Sequence, residues 1–93
     1  MGSLLALAYT EAALANLHDI EPKKLRRQIV RRIDRLSIDP HPPGSVKVQG
    51  IDDGLYDVYR IRQGDYRILY SVRSYTEVIV LDIGHRKDVY RNR

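Results

Sequence analysis

The run His41-Pro42-Pro43-Gly44 divides the chain into two parts that must fold differently, because two prolines and a glycine in succession exclude a helix interior and a central strand. On its N-terminal side, Leu4 to Tyr9 reads as a short first strand. Thr10 is placed to cap a short helix with Glu11 in its first turn and Ala12, Ala13, Leu14 and Leu17 following. His18 to Glu21 then connects to a second helix. There Pro22 suits the first helical position, and Leu25, Ile29, Ile33 and Leu36 recur at three- and four-residue steps. That spacing predicts an amphipathic helix of about four turns. Its other faces carry Lys23, Lys24, Arg26, Arg27, Arg31, Arg32 and Arg35, a stripe that suits a polyanion and equally suits an ordinary solvated helix surface.

Beyond the break, Leu55 to Arg62, Tyr66 to Arg73 and Val78 to Ile83 read as strands of an antiparallel meander. Gly64-Asp65 fits a two-residue type II′ turn, which sets Gln63 opposite Tyr66 and Arg62 opposite Arg67. Ile61 with Ile68 and Tyr59 with Tyr70 then share a core face, while Arg60 with Leu69 and Val58 with Ser71 share a face expected to be cationic. The run from Val78 is apolar on both sides, so it belongs inside the sheet. Gly84 is expected to end that strand and leave His85, Arg86 and Tyr90 on an exposed segment able to reach the arginine face. The expected fold is α+β in the order β-α-α-β-β-β, two N-terminal helices packed on a small antiparallel sheet, as one domain over residues 1–93.

Arg62 directly across from Arg67 is a destabilising pair that something must offset. Asp65 or Asp82 is a structural answer, Asp57 lying on the core side, and a bound phosphate backbone is a functional one. Three Arg converging from two adjacent strands favour the second, and composition is compatible with it. Sixteen Lys and Arg against twelve Asp and Glu give a net charge of +4 and a pI near 9.6, a balance that favours a polyanionic partner. Arginine predominates, and its planar fork clamps phosphate at two points. The chain has no Cys and three scattered His, so neither a disulfide nor a metal centre is expected, and no other cofactor is implied. The apolar opening Leu4 to Ala8 is too short to span a membrane and lacks the basic flank of a secretory signal, so a cytoplasmic location is expected.

RNA can be cut without a metal when its own 2′-hydroxyl attacks the adjacent phosphorus. That reaction needs a proton acceptor, a proton donor and cations over the transition state. Arginine supplies charge but not proton transfer, since a guanidinium stays protonated at neutral pH. Arg60, Arg67 and Arg86 therefore read as phosphate clamps. His85 and Tyr90 are the better proton handlers, and Tyr90 also suits stacking on a splayed base. A histidine after a glycine equally fits a turn residue, and Tyr90 equally fits a cap on the core.

Tyr59-Arg60-Ile61-Arg62-Gln63-Gly64-Asp65-Tyr66-Arg67-Ile68-Leu69-Tyr70, followed by Gly84-His85-Arg86-Lys87-Asp88-Val89-Tyr90-Arg91, resembles the RelE toxins. The helical half and Lys47-Val48-Gln49-Gly50 before the hairpin are similar to the family layout as well. The resemblance implies a RelE-like, microbial-ribonuclease-like fold. It also implies a toxin of a type II toxin–antitoxin module that enters the ribosomal A site and cleaves messenger RNA by 2′-hydroxyl attack. Arg67 would be the transition-state arginine, Arg86 the arginine after the last strand, and Tyr90 the C-terminal tyrosine. Arg60 stands where the best-known member of the family has a lysine, Val58 replaces that lysine's companion two residues earlier, and His85 stands where that member has another basic residue. The proton acceptor is thus open between His85 and a mechanism driven by charge and ribosomal contacts. Arg62, Lys47 and Lys87 are the further RNA-binding residues. The implied partners are the ribosome and a helical, acidic RelB-like antitoxin docking in apolar grooves beside the helices, with operator DNA reached only through the antitoxin complex. A ParE-like gyrase inhibitor and a non-catalytic RNA-binding module are the alternative readings.

Overall fold

Local signals in the helical half are followed closely. The structure, a computed structural model, describes residues 4–54 and 56–85. Strand β1 (Ala6–Tyr9) leads into helix α1 (Glu11–His18) through Thr10, whose side-chain oxygen accepts from the Ala13 N–H at 3.1 Å. The same hydroxyl donates to the Leu81 carbonyl at 2.8 Å and so fixes the helix start to the sheet. Helix α2 (Lys23–Asp34) continues into a 3₁₀ turn at Arg35–Ser37, and Pro22 stands just outside it as the N-cap instead of in its first turn. Ile29, Ile33 and Leu36 are fully buried, as their spacing demands. Each such side chain stabilises the fold by roughly 1.5–3 kcal/mol.

The strand half contains β2 (Val46–Asp53), β3 (Tyr56–Gln63), β4 (Tyr66–Arg73) and β5 (Glu77–His85). The five strands form one sheet in the order β1-β5-β4-β3-β2. The α+β class and the expected order of elements hold, with two corrections. An additional strand, β2, pairs antiparallel with β3. The sheet is also mixed, because β1 pairs parallel with β5, Leu7 opposite Val78. β5 lies between β1 and β4, inside the sheet as its two-sided apolar character requires. The β3–β4 register is the expected one, from Gln63 opposite Tyr66 through Tyr59 opposite Tyr70. Gly64 has φ +62, as the first central residue of a type II′ turn requires.

One sheet face packs on the helices, burying Ile61, Ile68, Tyr70, Val78, Val80 and Ile83 with Ile29, Ile33 and Leu36. The other face is not simply cationic. Val58 and Leu69 are buried there with Val48, Ile51 and Leu81 against them, a second small apolar cluster to which β2 contributes two members. Two further details position the site. In β5 the pairing skips Leu81, for Leu69 faces Asp82 but Tyr70 faces Val80. Between β4 and β5, Ser74 and Tyr75 both have positive φ, 54° and 57°, in a turn closed by the Thr76 N–H donating to the Arg73 carbonyl at 3.0 Å. Non-glycine residues in that conformation cost on the order of 1 kcal/mol or more each.

Candidate nucleic-acid interface

Strand alternation assembles a cationic surface on the side of the sheet away from the helices. Arg60 and Arg62 of β3 and Arg67 of β4 all fall on it, with Arg62 directly opposite Arg67 and Arg60 opposite Leu69. Arg60 also faces Val46 of β2, so its stem lies between two apolar neighbours. Its Nε is buried with no hydrogen-bond acceptor, while the residue as a whole is half-buried. A buried donor without an acceptor costs about 1–3 kcal/mol, an expense typical of a binding or catalytic position. Among the described residues neither Arg60 nor Arg62 makes an ion pair; Asp57 is engaged by Lys47 at 3.5 Å, and Asp82 accepts from the Asn16 side chain at 2.9 Å. The Val58–Leu69 cluster beneath lowers the local dielectric, which strengthens any contact these cations make with an anion.

Arg73 belongs to the same face, its guanidinium carbon 5.4 Å from the centre of the Tyr56 ring. It was absent from the sequence assignment, although counting on by twos from Arg67 along β4 reaches it.

Two expected members lie elsewhere. Gly84 does not end β5, which runs on through His85. His85 pairs with Tyr66 and its ring meets the Tyr66 ring edge-on at 5.8 Å, on the helix side of the sheet. The skipped Leu81 is the cause. With unbroken alternation Val78 and Val80 would share a face with Asp82 and Gly84, and His85 would join the arginines. The extra residue instead moves Ile83 into the core and His85 with it. Lys47 pairs with Tyr59, also on the helix side, and its ammonium serves Asp57. Arg86, Lys87 and Tyr90 lie outside the described residues. Among the described residues there is no cluster of three or more His, Asp or Glu that would hold a metal ion, and no helix long and apolar enough to cross a membrane.

A second surface lies between the helices, where Leu17 and Val30 floor a cleft of about 390 Å³ rimmed by His18, Arg26, Arg27 and Arg31. It is apolar below and cationic above.

Comparison with known proteins resolves what this combination represents. A family model described as the ParE toxin of the type II toxin–antitoxin system parDE matches residues 7–90. Toxin RelG of Mycobacterium tuberculosis is 30% identical over 84 residues, covering 89% of this chain and 92% of that protein. The archaeal RelE–RelB complex from Pyrococcus horikoshii superposes with a TM-score of 0.75 at 27% identity, over 91% of this chain and 98% of that one. The toxin–antitoxin complex RelBE2 from Mycobacterium tuberculosis shares the fold with a TM-score of 0.73 at 24% identity, over 95% and 98% of the two chains. The architecture is that of a RelE-like toxin. The chain belongs to the RelE/ParE family of type II toxin–antitoxin toxins.

Proposed function

We propose that this toxin is a metal-independent endoribonuclease that cuts messenger RNA in the ribosomal A site, in the cytoplasm, and so stops translation. The observation that carries the reading is the gathering of Arg60, Arg62 and Arg67 on one sheet face over an apolar floor. In the reaction, the 2′-oxygen bonds to phosphorus, its proton passes to an acceptor, and the bond to the 5′-oxygen breaks as that oxygen takes up a proton. The products are a 2′,3′-cyclic phosphate and a 5′-hydroxyl. Arg60 and Arg67 bind the extra charge of the five-coordinate transition state more tightly than the ground state. Gly84 is the cross-strand partner of Arg67, and Arg86 follows Gly84 by two residues in the sequence. On this reading Arg86 completes the clamp, Arg62 and Lys87 hold the flanking backbone, and Tyr90 handles a proton. His85 faces away from Arg67, which argues against it as the acceptor.

A RelB-like antitoxin is the proposed partner, as in the archaeal and mycobacterial complexes of similar fold. The cleft between α1 and α2, apolar at Leu17 and Val30 and basic at its rim, suits the apolar stripe of an acidic helix. Gyrase inhibition is the second reading, favoured by the ParE description of the matching family model. Primer extension on a translated message after brief expression, beside a gyrase supercoiling assay, separates the two. Codon-positioned cuts that disappear with Arg86→Ala, while that variant still binds antitoxin, support the nuclease. Intact message with blocked supercoiling supports the ParE reading, and neither effect leaves a non-catalytic RNA-binding module.

A further inference from the structure

At the end of the sheet nearest the β4–β5 turn, Tyr56, Tyr59, Tyr75 and His41 surround a cleft of about 340 Å³ that Asp57 and Ser74 help to line. It lies at the end of the sheet, apart from Arg60, Arg62 and Arg67, and Tyr56 reaches it from their face. Tyr59 faces the helix side as the partner of Tyr70, whereas Arg60, the next residue, faces the other way. The rings are held by different means. Tyr59 is braced by the His41 ring, edge-on at 4.7 Å, and by Tyr70, tilted at 5.9 Å. Tyr56 has the Arg73 guanidinium 5.4 Å from its centre.

Tyr75 is the exception, because packing does not explain its position. It is 88% exposed, and it and Ser74 both occupy the left-handed backbone region that glycine or asparagine would fill without strain. Exposed aromatic rings are the platforms on which proteins stack unpaired bases, and backbone strain of this kind clusters at ligand-binding positions. The polar groups narrow the choice of base. An aspartate accepts hydrogen bonds only, at two oxygens, and guanine alone presents two adjacent N–H donors on its Watson–Crick edge. Lys47, 3.5 Å from Asp57, adds a cation for the same nucleotide's phosphate.

We propose that this cleft binds an unpaired guanine nucleotide of single-stranded RNA, with Tyr75 and Tyr59 stacking on the base, Asp57 accepting from its N1 and N2, and Lys47 meeting the phosphate. The inference rests on the reading of the toxin as an RNA-binding enzyme and assigns it a contact beyond Arg60, Arg62 and Arg67. Lys47, which the sequence reading gave to RNA without a place, acquires one here.

The test is titration of the intact toxin with GMP, AMP and UMP, followed through the tyrosine ring resonances. GMP should move Tyr56, Tyr59 and Tyr75 and leave Tyr9 in place, with UMP at least about 10-fold weaker. Tyr75→Gly, which suits the turn better than tyrosine, should weaken GMP about 10-fold in a protein that is no less stable. Asp57→Asn should abolish the preference for GMP over UMP. GMP leaving the three rings unmoved, or moving them no more than UMP does, overturns the proposal. Rings that respond to an acidic antitoxin and not to GMP overturn it in favour of a partner surface. Codon-positioned cleavage is read separately: cleavage with unmoved rings sinks the base site alone, and moved rings without cleavage keep the base site and sink the enzymatic reading.

Discussion

Arg60 and His85 show how one residue of backbone phase decides which face of the sheet a side chain reaches. Arg60 is fixed by a hairpin whose register follows from Gly64-Asp65, and its stem sits between Val46 and Leu69, so its charge is held where a phosphate can use it. Arg60→Ala should lower single-turnover cleavage by about 10²–10³-fold, the usual loss when one preorganised charge donor is removed from a transition state. Arg60→Lys should retain much more activity, since on this reading the position needs charge and a lysine supplies it. Equal losses in the two variants would mean that the guanidinium fork, not its charge, is what matters. His85 gives the opposite expectation. Its ring rests on Tyr66 across the sheet from Arg67, so His85→Gln should leave the pH profile of cleavage unchanged. A profile that flattens between pH 5 and 8 would restore His85 as the proton handler.

At the scale of elements, the sequence was legible wherever side-chain period and turn chemistry agreed. The Thr10 cap, the Ile29-Ile33-Leu36 stripe and the β3–β4 register follow from local rules, and the structure keeps all three. What escaped was set by irregular pairing. β2 follows the Pro-Pro-Gly break, contains Gly50 at φ +78, and shifts register between Lys47 and Asp52, so no clean alternation marks it. The β5 bulge hides inside the apolar run Val78-Ile79-Val80-Leu81, where every residue is acceptable on either face, and its effect emerges only at His85. Arg73 was legible and was overlooked. The β4–β5 turn carries its own prediction. Replacing Ser74-Tyr75 by Asn-Gly relieves two left-handed residues and should stabilise the protein by about 1–2 kcal/mol, raising Tm by roughly 4–8 °C per kcal/mol. Thermal unfolding decides it, and a lower Tm would show that the Tyr75 side chain supports the fold.

Across the whole molecule, the β1–β5 ladder joins the helical and strand halves at one edge, and Tyr70 ties them from inside the core. Its hydroxyl, on the fully buried core of β4, donates to the Pro40 carbonyl at 2.7 Å, just before the break that divides the chain. Burial, the largest influence, pushes its pKa from 10.0 up to about 12, with further raising by Tyr59 and Asp39 and partial lowering by Ser45 and Arg32. The folded state therefore holds this proton to higher pH than the unfolded chain does. Between about pH 10 and 12 the unfolded state binds fewer protons, so stability must fall as pH rises. The contribution is complete below pH 10 and is lost as pH passes through the folded-state value, a total of about 2–3 kcal/mol. Tyr9, also raised by burial and by Asp34, adds in the same direction. Urea unfolding at pH 8, 10 and 11.5 measures the slope, and Tyr70→Phe isolates its source. The variant should lose about 1 kcal/mol at pH 8, where the bond to Pro40 is intact in the parent, and should show a shallower decline above pH 10. Parallel curves for parent and variant would mean that Tyr70 is not the titrating group.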